Sequence, residues 1–65
     1  MPDFDAPIPP EYAGRRLDRA LAELLPDYSR SRLQRWLADG ALTVDGATPP
    51  AKTPVAGGEH VRLFV

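Results

Sequence analysis

The sequence predicts an α+β domain. Two main helices are expected over about residues 15–25 and 30–39, followed by a small antiparallel sheet from about residues 42–48 and 60–65. Three observations carry that expectation. Apolar residues recur at helical spacing on both sides of a short Pro26-Asp27-Tyr28 link. After Gly40 the apolar period changes from helical to alternating. Asp45-Gly46 and Gly57-Gly58 then punctuate the alternating part as turns. A chain of 65 residues makes one small domain. A domain of that size buries only about 60% of the surface its unfolded chain exposes, so its stability is marginal.

The chain opens with four prolines in its first ten residues. Proline lacks the N–H a helix needs and biases the residue before it toward extended geometry. Residues 1–13 therefore read as a proline-rich extended arm, with Phe4 and Ile8 resting on the body. An edge strand is the alternative there, and Pro10 suits the first position of a single helical turn. The folded domain is expected to span residues 14–65. Its first helix follows Gly14, and Leu17, Ala20, Leu21, Leu24 and Leu25 share one face. Arg15 and Arg19 lie opposite and Arg16 flanks the stripe. Arg19 and Glu23, four apart, are spaced to pair. Pro26 stops this helix.

The second helix carries its own start and stop signals. Ser29 is placed to cap it with its hydroxyl, and Gly40 suits the left-handed residue that ends a helix. Leu33, Trp36 and Leu37 form the apolar stripe and are assigned to the core, with Tyr28 stapling back onto Leu33 or a neighbour. Ser31 and Arg35 sit opposite that stripe, with Arg30 and Arg32 on its flanks. Leu42 and Val44 then alternate with Ala41 and Thr43 as a half-buried strand. Asp45-Gly46 is a tight-turn signal, and Ala47-Thr48 begins the return. Pro49, Pro50 and Pro54 make 49–56 mostly loop around Lys52. Val61, Leu63 and Val65 alternate with Arg62 and Phe64 as the last strand.

The formal net charge of −1 argues against a generic polyanion binder, but the distribution is uneven. Residues 1–14 hold three acids and no base, whereas residues 15–35 hold six arginines against three acids. A local field matters more for docking than the total. There is no cysteine and a single histidine, His60, so neither a disulfide nor a metal site is expected. No catalytic constellation is present: Ser29 and Ser31 lack a nearby histidine and a nucleophile-elbow context. No apolar run is long enough to span a bilayer, and no signal peptide is visible, so a cytoplasmic monomer without cofactor is expected. The residues alone leave several partners open. The arginines fit a solvated face, an acidic protein surface or a nucleic acid. The two helices with their short link also suggest a DNA-binding helix-turn-helix, although the strands after Gly40 argue against it.

The ordered set Gly14-Arg15-Arg16-Leu17-Asp18-Arg19-Ala20-Leu21, Ser29-Arg30-Ser31-Arg32, Gly40-Ala41-Leu42-Thr43-Val44-Asp45-Gly46 and Gly57-Gly58-Glu59-His60-Val61 resembles the S-four domain. That is a small RNA-binding module named after ribosomal small-subunit protein four. The resemblance implies helices packed on a bent antiparallel sheet, the αL RNA-binding motif. It also implies structured RNA, above all ribosomal RNA, as partner. Within the family, the run from Leu24 to Leu33 is most similar to the N-terminal domain of large-subunit-type ribosomal RNA pseudouridine synthases, whose catalytic domain follows this module. Arg16-Leu17-Asp18 matches the module's own Arg-Leu-Asp and not the catalytic motif of those isomerases, so no catalysis is expected of this chain. Asp18 is expected to serve the helix start. The same module in another RNA enzyme, or in a stand-alone ribosome-associated protein, is the alternative. RNA contact is expected from Arg16, Ser29, Arg30, Ser31, Arg32, Gln34, Arg35 and Lys52. Arginine forks suit phosphate, and the hydroxyls and the amide add hydrogen bonds. The family commonly has asparagine where Asp45 stands; aspartate keeps the turn but adds a negative charge near the expected RNA surface.

Overall fold

In a computed structural model of the chain, which describes residues 1–64, β3 (His60–Leu63) runs through the centre of a three-stranded antiparallel sheet. Its neighbours are β1 (Phe4–Pro7) on one side and β2 (Leu42–Val44) on the other. A 3-10 turn at Pro10–Tyr12 follows β1, and helices α1 (Leu17–Leu24) and α2 (Arg30–Asp39) come before β2. The α+β class and both helices agree with the sequence expectation. Val65, the last residue of the expected third strand, lies outside the described residues.

The proline-rich start is a strand. Phe4 pairs with Leu63, Ala6 with Val61 and Pro7 with His60. Proline is tolerated because β1 is an edge strand, where a missing N–H costs no ladder bond on the outer side. Ile8, just beyond it, is fully buried. Alternation makes the sheet two-faced: Val61 and Leu63 point into the core while His60 and Arg62 are exposed. The core under that face joins Ile8, Leu17, Ala20, Leu21, Leu25, Leu33, Leu37, Leu42, Val44, Val55, Val61 and Leu63. At roughly 25 cal/mol per Å² of apolar surface removed from water, this single cluster is the main stabilising term.

The two helices begin differently. Ser29 caps α2 as expected: its Oγ accepts the Arg32 N–H at 3.2 Å. Gly40, at φ +84°, ends it, with the Ala41 N–H donating to the Trp36 carbonyl at 2.9 Å. The first helix starts at Leu17, two residues later than the sequence suggests, and its N-cap residue, Arg16, makes no side-chain capping bond. Its free N–H groups are met from the loop instead: Leu17 donates to the Thr53 carbonyl at 2.9 Å and Asp18 to that of Ala51 at 3.0 Å. Gly14 and Val55 extend the same ladder, since Gly14 donates to Val55 and Val55 to Arg15. That pairing holds Gly14 and Arg15 in a turn and Arg16 extended, at φ −63° and ψ 144°, so none of them belongs to the helix.

Three local expectations are corrected. Glu23 pairs with Arg15, which also lies over the Tyr12 ring at 4.6 Å, and not with Arg19. Trp36 is half-buried at the rim of the core, edge-on to Tyr28 with ring centroids 4.9 Å apart. Its neighbour on the helix, Arg32, lies 5.7 Å from the Trp36 ring centroid. At Asp45-Gly46 both residues have positive φ, +53° and +76°, the pattern of a two-residue hairpin turn. Val44 and Ala47 exchange both backbone bonds on the free edge of β2, but Ala47-Thr48 does not continue as a strand there, because Pro49 and Pro50 follow at once and interrupt a ladder.

Candidate nucleic-acid interface

Three separate segments deliver cations to one side of the molecule. The strap before α1 brings Arg15 and Arg16, the outer face of α1 brings Arg19, and the first turn of α2 brings Arg30. With Gly14, Ala22 and Glu23 these four arginines line a groove of about 740 Å³. A groove of that volume would suit a small molecule, but such sites are lined mainly by apolar side chains. Guanidinium forks as the lining suit phosphate oxygens, which they meet bidentately.

A second groove of about 510 Å³ adjoins it through Arg16, which lines both. Its other walls include Gln34, Ala38 and the loop from Thr48 to Lys52. The loop that caps α1 with its carbonyls is the loop that carries Lys52. Folding of the α1 start therefore sets the distance between Lys52 and Arg16. Helical geometry explains the other members: Arg30, Gln34 and Ala38, each four residues on, form one flank of α2 and so face one strip.

The structure divides the residues singled out from sequence. Arg16, Arg30, Gln34 and Lys52 come together along the two grooves. Ser29 and Ser31 stay at the α2 start, their hydroxyls 3.4 Å apart, with Ser29 engaged as the cap. Arg32 is on the far flank of α2 beside Trp36. Arg35 lies on the outer side and pairs with Asp39 at 3.9 Å. Sequence reasoning passed over Arg15 and Arg19, which it had placed on the outer face of the first helix. The missed signal was that a short link folds this face toward the arginine-rich start of α2.

Asp18 carries more than the helix start. Its side chain is 3% exposed. Oδ1 accepts the Arg19 N–H at 2.8 Å, while Oδ2 accepts a hydrogen bond from Arg16 Nη2 at 3.1 Å and lies 3.7 Å from Arg30 Nη2. Asp45, by contrast, turns away from the grooves. Its carboxylate accepts the His60 N–H at 2.8 Å and lies with Thr43, Arg62 and Phe64 on the outer face of the sheet. The expected negative charge near the basic surface is therefore spent on tying the hairpin to β3. Among the described residues, no three His, Asp or Glu side chains cluster to hold a metal ion, and no helix is long and apolar enough to cross a membrane.

The S4 domain family matches residues 15–61, which takes in every cation of both grooves and the turn at Asp45. The chain belongs to the S4 domain family. S4 domains are RNA-binding modules, and they occur in pseudouridine synthases. The chain is similar to ribosomal large subunit pseudouridine synthase D of Neisseria meningitidis serogroup A, 50% identical over 58 residues, which covers 89% of this chain and 16% of that protein. Against the enzyme of the same name from Vibrio vulnificus it is 60% identical over 53 residues, 78% of this chain and 16% of the relative. Against that from Nitrosomonas europaea it is 50% identical over 57 residues, 88% and 17% respectively. The chain thus spans 16 to 17% of the length of these curated relatives.

Proposed function

We propose that this S4 domain holds structured ribosomal RNA for a pseudouridine synthase, through phosphate contacts and without catalysis of its own. The observation that supports the reading most directly is the pair of adjoining grooves sharing Arg16. Cations from the strap, from α2 and from the Lys52 loop converge there, although the chain as a whole is slightly acidic. Arg16, Arg30 and Lys52 meet phosphates, Gln34 adds a hydrogen bond between them, and Ser29 and Ser31 extend the contact at the α2 start. Arg32 and Arg35, on other faces of the same helix, make outlying contacts. Phosphate contacts fix register and carry little sequence information, so recognition is by RNA shape. The isomerisation belongs to a catalytic domain outside these residues, as the small share of each relative's length covered by this chain suggests. The domain acts as a monomer in the cytoplasm, without metal or cofactor, wherever the parent enzyme meets its ribosomal RNA.

Salt-dependent titration tests the reading. With three to five phosphates engaged, log K for a structured ribosomal RNA fragment falls with log salt by about 0.7–0.9 per contact. Replacing Arg16, Arg30 and Lys52 together by Gln removes up to three contacts and flattens the slope by about 2–3. Replacing Arg32 and Arg35 has a smaller effect. No binding at low salt, or tighter binding to matched duplex DNA than to RNA, would overturn it. Capture of an acidic protein surface by the same grooves, without RNA affinity, would transfer the site to protein recognition.

A further inference from the structure

Asp18 is out of place on a surface meant for a polyanion. It is a carboxylate within the arginine cluster, and its removal would raise the local positive charge. It is also nine-tenths buried and more, whereas the two arginine side chains it touches are 53% and 58% exposed. Those arginines come from different elements. Arg16 is held by its backbone bridge to Pro54, flanked by the Val55 N–H to Arg15 carbonyl and Leu17 N–H to Thr53 carbonyl bonds, and Arg30 opens α2. One oxygen, Oδ2, faces both guanidinium groups. The other is occupied by the Arg19 backbone N–H, which fixes the plane of the carboxylate.

We propose that Asp18 is a positioning residue: it orders the Arg16 and Arg30 forks across the α1–α2 corner as a two-armed clamp for a single phosphate. This rests on the RNA-holding reading above and gives one part of that surface its geometry. An arginine in water samples many rotamers, and immobilising one on binding costs affinity. A buried carboxylate that accepts a hydrogen bond from the Arg16 fork and forms an ion pair with the Arg30 fork removes part of that cost in advance. It leaves the remaining N–H donors of both guanidinium groups directed outward, since each has five and Oδ2 takes at most one from each. Two forks held by one oxygen are held close together, as a shared phosphate requires. Arg35 serves as the internal contrast, because its partner Asp39 is itself 64% exposed and holds it in solvent at 3.9 Å.

The sign of one substitution separates this role from simple charge. Asp18→Asn keeps the shape and removes a negative charge. If charge alone governed binding, the variant would bind RNA more tightly. The clamp predicts the reverse, a loss of about three- to tenfold for a ribosomal RNA hairpin, as expected when one or two long side chains must be ordered on binding. In a double-mutant cycle the loss largely vanishes in an Arg16→Gln, Arg30→Gln background and persists undiminished in a Lys52→Gln background. Tighter binding by Asp18→Asn, or full additivity with both backgrounds, overturns the clamp.

A readout free of RNA tests the same device. Relaxation of the arginine Nε–Hε groups in the 65-residue chain should show Arg16 and Arg30 ordered and Arg35 mobile, with Asp18→Asn releasing the first two. Inorganic phosphate should shift the Nε–Hε signals of Arg16 and Arg30 together, with one apparent affinity, and shift Arg35 only weakly. Equal mobility of all three arginines, or unchanged order in Asp18→Asn, overturns the proposal. A clamp that answers to phosphate in a chain that ignores ribosomal RNA would overturn the RNA reading and leave the clamp standing. Should Asp18→Asn prove poorly folded, Arg16→Lys keeps charge but loses the fork, and it should abolish the paired phosphate response.

Discussion

The two helices differ in who closes their first turn. The second closes its own: Ser29 meets the Arg32 N–H and Gly40 turns the chain out at the other end. The first is closed by strangers, the carbonyls of Ala51 and Thr53, far along the chain. A self-capped helix can be placed almost anywhere that buries its stripe. A helix closed by a distant loop drags that loop to its start. In this molecule the loop arrives with Lys52 and the strap with Arg16, so the cap that completes α1 also assembles one end of the basic surface.

Five substitutions would break or sharpen that contrast. Leu17→Ala and Leu33→Ala each open the shared core, one per helix, and each should cost about 2–5 kcal/mol in urea denaturation. A much smaller loss for Leu33→Ala would mean that α2 stands on its caps and leans little on the core. Trp36→Ala should cost about 2 kcal/mol, below the 3–5 typical of a fully buried tryptophan, because the ring is at the rim. A full loss would show that the Tyr28 and Arg32 contacts matter more than burial suggests. Gly57→Ala attacks the distant cap. Gly57 has φ +92°, and an added Cβ would lie 2.8 Å from the Pro10 Cα, so the chain just after Val55 must move. A loss of more than about 1 kcal/mol is expected. Hydrogen exchange should speed up at Leu17 and Asp18 while Arg32 and Leu33 keep their protection. Ser29→Ala, the smallest of the set, should cost about 1 kcal/mol and fray only the first turn of α2. If it also disturbed the Leu17 and Asp18 amides, the two starts would be coupled and the contrast lost.

The same contrast decides what could be read in advance. The α2 boundaries were legible because both signals, serine and glycine, act within a few residues. The α1 start was not, since the partners of its first two N–H groups, those of Leu17 and Asp18, are supplied by a distant loop, and Asp18 beside them marks the start only through the Arg19 N–H. Val55 escaped notice as a core residue for a similar reason: it sits in a proline-bounded loop without any apolar period. Within the site, residue type was legible and company was not. Sequence identified arginines as the relevant chemistry and placed Arg30 and Arg32 on the flanks of the α2 stripe. It could not tell that Arg35 would pair with Asp39, or that Arg19 would share a groove with Arg30. Trp36 was assigned to the core by its spacing, but spacing fixes direction and not depth. The turn at Asp45 shows how a local signal can hold while its consequence changes. The hairpin formed as expected, yet its carboxylate went to the backbone of β3.

One further property follows from the pairing of β1 with β3. Phe4 lies opposite Leu63 and Pro7 opposite His60, and the Asp3 N–H donates to the Leu63 carbonyl at 2.7 Å. Tension applied between residues 3 and 64 would thus pull on two adjacent rungs at the same end of an antiparallel ladder. Such a load opens the rungs in succession, Phe4–Leu63 first and Pro7–His60 last, and never shears them all at once. The sheet yields to such stretching at its terminal edge, where the Phe64 N–H bond to the Ala41 carbonyl, just past the end of α2, shares the first load.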